Sequence, residues 1–179
     1  MKLLRTIRLD ASDTFIFDKA AEPGEWAVPG AFVFWNSDPG KLEGKARSAF
    51  RGGILGVGSF GWSTLAQIVE ASAVERIALV ETLVRRLIED FGAPDIEAAR
   101  AAAEDEVAFA ESLCNQPQDT LIAVHRSYEE GTVREAFRTL KPRNGAKPAR
   151  AFSFMDVEGE DERADETVDL VSLAGRERK

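Results

Sequence analysis

The chain has 179 residues, 44% of them apolar and 30% charged, with a formal net charge of −8. That length supports one domain with a real hydrophobic core. The acidity argues against general nucleic-acid binding, which needs a basic footprint, and the lone cysteine, Cys114, excludes an internal disulfide or a thiolate metal cluster.

In chain order, residues 3–9 read as a first strand and 14–17 as a second, joined by the turn 10–13 into a hairpin over 3–17. Charges at Arg5, Arg8 and Asp10 interrupt any signal-peptide core, so a cytoplasmic location is expected. Pro29 and Gly30 suit the centre of a type II turn, and 31–35 reads as a dense aromatic strand before the turn cluster 36–40. Residues 41–51 carry Lys41, Lys45, Arg47 and Arg51, and 52–60 reads as a strand weakened by glycines. Capping-box pairs occur at Thr64 with Gln67 and at Ser72 with Glu75.

Residues 74–91 carry the strongest helical period, through Val74, Ile77, Val80, Val84, Leu87 and Phe91, reinforced by Leu83 and Ile88. Gly92 and Pro94 end it. A second, alanine-rich helix is expected over 95–113, with Ile96, Ala99, Ala103, Val107 and Ala110 on a slim face, and the two helices form an antiparallel hairpin. Residues 120–125 alternate as a strand. The spacing of Val133, Ala136, Phe137 and Leu140 predicts a short helix over 132–140. A basic loop follows over 141–150, a last strand over 151–155, and then an acidic tail over 156–179, expected to be partly disordered. Strands flanking a central helix pair favour an α+β fold, a mostly antiparallel sheet packed on a two-helix hairpin, with 1–155 as a single domain.

The stretch GVGSFG, residues 56–61, fits the G-x-G-x-x-G pattern through Gly56, Gly58 and Gly61. In a dinucleotide fold those glycines would close a strand-to-helix turn around pyrophosphate. The preceding strand is short and the later sequence supplies no clear βα units, so the favoured reading is sheet glycines that allow close backbones or bulges. An intermediate reading has amides near Ser59 binding an anion, aided by Arg47 or Arg51. His125, the only histidine, follows an apolar strand and precedes Tyr128 and Glu129, a trio with the chemistry for proton transfer. Its structural counterpart is a surface histidine at a strand end. Cys114 closes a helix, where the dipole disfavours a thiolate, and reads as a small buried hydrophobe. No metal site and no cofactor is called for.

Trp26, Phe32, Phe34, Trp35, Phe60 and Trp62 form the heaviest aromatic set. They close a sheet–helix core, line an apolar pocket or face a partner. In the pocket reading, Arg51, Ser59, Trp62 and Trp35 are the candidate ligand-binding residues.

The segments KLLRTIRLDASDTFIFDKAAEPGEWAVPGAFVFW, GVGSFGWSTLAQIVEAS and IAVHR…REAFRTLKP together resemble a family of small uncharacterised bacterial proteins, mainly from alphaproteobacteria. The resemblance spans nearly the whole chain and implies a bacterial cytoplasmic protein; it implies no activity, ligand or catalytic residue. The leading functional expectation is an accessory or protein-interaction protein, with homodimerisation a candidate and neither nucleic acid nor membrane as partner. The alternatives are a small-molecule-binding protein or enzyme with a pocket between the aromatic sheet and the helix pair, and nucleotide binding at the glycine stretch.

Overall fold

A computed structural model describes residues 1–141 and 156–158. The chain forms a curled, fully antiparallel eight-stranded sheet in the order β4-β3-β2-β1-β5-β6-β7-β8. The strands are β1 (Lys2–Ile7), β2 (Trp26–Val28), β3 (Ile54–Gly56), β4 (Trp62–Ser63), β5 (Leu65–Glu70), β6 (Leu121–Glu129), β7 (Thr132–Lys141) and β8 (Asp156–Glu158). The helices are α1 (Ser12–Ile16), α2 (Gly44–Gly52), α3 (Ala73–Phe91) and α4 (Ile96–Ser112). The α+β expectation, an antiparallel sheet packed on a two-helix hairpin, matches this architecture.

The helix pair follows its local signals. Ser72 accepts from the Glu75 amide while Glu75 accepts from the Ser72 amide, the reciprocal capping box that satisfies two otherwise unpaired donors. Asp95 caps α4 by accepting from the Ala98 amide at 2.7 Å. The small face of α4, Ala99, Ala103, Val107 and Ala110, is at most 1% exposed. Arg76 of α3 binds Glu104 at 2.8 Å and Glu111 at 2.9 Å on α4, and Arg100 returns to Glu81 at 2.5 Å. The α3 core face is centred on Leu79, Leu83 and Leu87; Val74 and Ile77 of its first turns are 75% and 59% exposed, so the apolar period overstates how far burial extends.

Five predicted elements are corrected. Residues 14–17 belong to α1 and its C-cap rather than to a hairpin strand. Asp13 is 5% exposed and accepts from Ser63 and Thr64 in the turn beside β4. That contact also removes Thr64 from any capping role, and 65–70 is β5. The aromatic run is a 3-10 helix, Ala31–Phe34, because Gly30 (φ 81°) turns the chain at the end of β2. The glycine-weakened strand is confined to β3.

Residues 132–140 are strand β7, not helix. Glu130 (φ 51°) and Gly131 (φ 78°) form a two-residue turn of the I′ kind closed by the Glu129–Thr132 pair. That turn fixes the register, placing Val124 opposite Phe137 and Arg126 opposite Glu135. Along β6 the polar Arg126 therefore shares the inward face with Val124. Among the described residues it is the largest side chain with no exposed surface. The expected last strand over 151–155 and nearly all of the basic loop and acidic tail lie outside the described residues. At the end of β7, Asp156–Glu158 pairs with Thr139–Lys141 as β8.

Candidate functional site

The inward-facing Arg126 organises the site. Its Nε donates to Glu135 at 2.9 Å, and one terminal nitrogen donates to the carbonyls of Phe50 and Gly53 at 3.2 and 2.7 Å. The other donates to the carbonyl of Pro29. The planar fork thus ties β6 and β7 to the end of α2 and to the end of β2, across the curl of the sheet. Burial pulls the Arg126 pKa down, and the facing Glu135 holds it up.

The same peptide unit is held from its other side. The Gly30 amide, joined to the Pro29 carbonyl, donates to Glu106 Oε1 of α4 at 2.7 Å. A single peptide bond therefore lies between a buried guanidinium and a carboxylate. Burial pushes the Glu106 carboxyl above the ordinary glutamate range; the Gly30 amide opposes that, nearby Glu135 adds to it, and Arg126 counters it.

Fixing Gly30 fixes the 3-10 turn that follows. With about three residues per turn, side chains three apart eclipse, so Phe32 and Trp35 leave the same side and meet edge to face at 6.5 Å. Phe32 is 7% exposed and packs against Phe60 and Phe91, whereas Trp35 is 79% exposed. On α4, Ala102, Asp105 and Glu106 are spaced to share one helix face. Together with Leu87 these residues line a cleft of about 280 Å³ between the 3-10 turn and the helix pair. Of the other partly buried carboxylates of the helix pair, Glu75 binds Arg5, and Glu104 and Glu111 bind Arg76. Among the described residues Asp105 has no ion pair, and Glu106 Oε2 has no hydrogen-bond donor.

Of the four candidate ligand-binding residues, Arg51, Ser59, Trp62 and Trp35, only Trp35 lines this cleft. Arg51 is exposed near the end of α2. Trp62 is 9% exposed and stacks on Phe34 at 5.3 Å inside the core. Ser59 is engaged by Glu25, whose Oε2 accepts from the Ser59 amide at 2.6 Å and whose Oε1 accepts from Ser59 Oγ at 2.5 Å and from the Glu22 amide at 2.8 Å.

That carboxylate sits where an anion would sit in a glycine nest. A Cβ at Gly56 would collide with Glu25, one at Gly58 would lie 2.7 Å from its Oε2, and one at Gly61 would lie 2.5 Å from the Ala20 carbonyl. The loop joins β3 to β4 rather than a strand to a helix, so no helix N-terminus backs it. The glycines make room for Glu25 and for neighbouring backbone. The bulky residue of the loop, Phe60, takes the positive φ (61°), with the Arg86 guanidinium 5.3 Å above its ring.

His125, Tyr128 and Glu129 do not converge. His125 is exposed opposite Ala136, and strand alternation puts Tyr128 on the other face. Glu129 is four residues further along, roughly 13 Å away in an extended strand, and pairs with Arg134 at 3.7 Å. Cys114 is buried and its thiol is pushed up to about 11, chiefly by burial, as a structural cysteine would be. A second cleft of about 260 Å³ lies between Trp26, Gly58 and Thr82, but Arg5 already covers the Trp26 ring at 4.0 Å. Among the described residues no group of three or more His, Cys, Asp or Glu gathers as a metal centre would need, and no helix is long and apolar enough to cross a membrane.

These features define an antiparallel α+β protein with a small cleft that has one aromatic wall and one carboxylate wall. Over residues 1–155 the chain matches the model of a family of unknown function, DUF6505, and it belongs to that family. Comparison with curated proteins and with solved structures gives no match.

Proposed function

We propose that this chain is an accessory protein that works by docking another protein at the face around Trp35. The observation that carries the reading is the exposure of Trp35, 79%, on a turn held by two charge-assisted hydrogen bonds to its backbone. Large aromatic side chains presented on rigid supports are the usual anchors of interfaces. The neighbouring cleft, about 280 Å³, falls at the small end for a ligand pocket and suits a single side chain better than a nucleotide. Its lining holds no histidine, cysteine or serine, which favours binding over nucleophilic chemistry. A second copy of the chain is the weaker occupant, because two chains of net charge −8 repel. A bacterial origin and a cytoplasmic setting accompany this reading on the strength of the sequence resemblance.

The test is photo-crosslinking in the native host from a photoreactive residue at exposed Asn36, beside Trp35, with a second probe at exposed Phe15 on α1. The reading expects a discrete adduct from position 36 that is lost with Trp35→Ala and is absent from position 15. Identical adducts from both positions, or adducts indifferent to Trp35→Ala, would overturn it.

A further inference from the structure

The charge arrangement of the cleft specifies what enters it. Its apolar part is Phe32, Leu87 and Ala102, and its rim is the Trp35 ring. The polar groups that open into it are Asp105 and Glu106, both carboxyl groups. On the same helix pair, Arg76 is paired with Glu104 and Glu111, and Arg100 with Glu81. Among the described residues the cleft carboxyls are left without such a partner. Arg126, the cation that acts on Glu106, is committed to Glu135 and three backbone carbonyls and has no exposed surface.

An aromatic face beside uncompensated carboxylates recognises one chemistry: a cation on an apolar stem. The apolar lining would cover methylenes, the Trp35 ring would lie against the charge, and Asp105 with the open oxygen of Glu106 would receive its N–H donors. The second cleft shows the same pairing satisfied from within, with the Arg5 guanidinium stacked on Trp26 at 4.0 Å and reaching Glu75 at 3.4 Å. The first cleft has the ring and the acids but, among the described residues, no such internal cation.

We infer that the Trp35 cleft takes a lysine or arginine side chain of the docked protein, inserted between the indole and the Asp105 and Glu106 carboxyls. This inference rests on the docking reading above and adds the chemistry of the partner: a basic segment, drawn also by the overall charge of −8.

The test is an NMR titration of the full chain with capped Gly-X-Gly peptides, where X is lysine, arginine, norleucine or glutamate. The reporters are the Trp35 indole N–H and the Gly30 amide. The lysine and arginine peptides should shift both signals with affinities on the order of millimolar. Norleucine and glutamate should shift neither, and added salt should weaken the effect. Trp35→Ala, Asp105→Asn and Glu106→Gln should each weaken binding about two- to fivefold, the scale of one exposed cation–π or charge contact. Thermal midpoints of the three variants identify any that has lost its fold, and Trp35→Ala and Asp105→Asn, at exposed positions, keep the test intact in that event. Equal shifts with norleucine, or no shift with either basic peptide, would overturn the inference. If the peptides fail while the Asn36 adduct still depends on Trp35, the docking reading stands and only the cationic assignment falls; loss of both removes the docking reading itself.

Discussion

Arg126→Met removes the guanidinium and keeps most of the stem. The variant leaves the carbonyls of Pro29, Phe50 and Gly53 without their donor and strands Glu135, which is 20% exposed at its side chain. Breaking a buried ion pair from one side costs about 3–5 kcal/mol. Each orphaned carbonyl that water cannot reach adds ~1–3 kcal/mol, partly offset by the extra apolar surface of methionine. Against a total stability of about 5–15 kcal/mol this is a large fraction. In a chain of this size the ion-pair loss alone translates to a midpoint lowered by roughly 6–20 °C. The assay is thermal unfolding by circular dichroism with a urea series to recover the free energy. Arg126→Lys keeps the charge without the fork and should fall between the two. Pairing Arg126→Met with Glu135→Leu should recover part of the loss, because no charge is then stranded. A single Arg126→Met variant that melts within about 2 °C of the parent, no more than about 1 kcal/mol, would refute the clasp.

Glu25→Gln exchanges one of the two accepting oxygens for an NH2 that must face the backbone N–H of Ser59 or of Glu22, and should destabilise by about 2 kcal/mol, read as a lower urea midpoint; unchanged stability would mean that the carboxylate does not hold the glycine loop. With Glu25 in place, millimolar NAD or ATP should leave the melting temperature of the parent unmoved, and a clear rise would restore the nucleotide reading. Glu106 has a folded-state pKa raised by burial, so its favourable contribution is complete at low pH and is lost as pH climbs from the ordinary glutamate range through the raised value. Glu106→Gln should therefore gain on the parent in melting temperature as pH increases over that window, and a difference independent of pH would contradict the assignment. Cys114, with a thiol near 11, should react with a disulfide reagent slowly in the native protein and rapidly in denaturant at neutral pH; equal rates would place it at the surface.

The helix hairpin was legible because its information is local: the Ser72–Glu75 box, the Asp95 cap and the alanine stripe each act within a turn or two. β7 was not, since Val133, Ala136, Phe137 and Leu140 fit a helical period as well as a strand. The deciding signal was the two-residue turn at Glu130 and Gly131. Once that turn is set, residues 126 and 135 must face each other, and a charged residue on the inward side of β6 needs an acid there. Arg126 and Glu135 were thus readable in principle from strand parity plus turn chemistry. Trp35 was singled out from its aromatic neighbourhood, but its position on a 3-10 turn depends on Gly30 and on two distant side chains. Glu25 and Glu106 carry no pattern of their own. Each lies 34 and 76 residues, respectively, from the amide it engages, a separation that only the folded chain closes. The aromatic-strand reading of 31–35 failed for the same reason, since residue type favours a strand while the positive φ at Gly30 diverts the backbone out of the sheet.

The account turns on one peptide unit, Pro29–Gly30, gripped by Arg126 at its oxygen and by Glu106 at its nitrogen, which sets the turn that presents Trp35. Amide hydrogen exchange at Gly30 reports on that grip directly. The account predicts strong protection in the parent protein, reduced in both Arg126→Met and Glu106→Ala while the amides of α4 stay protected. Exchange of the Gly30 amide at the rate of an unstructured chain in the parent protein would contradict it.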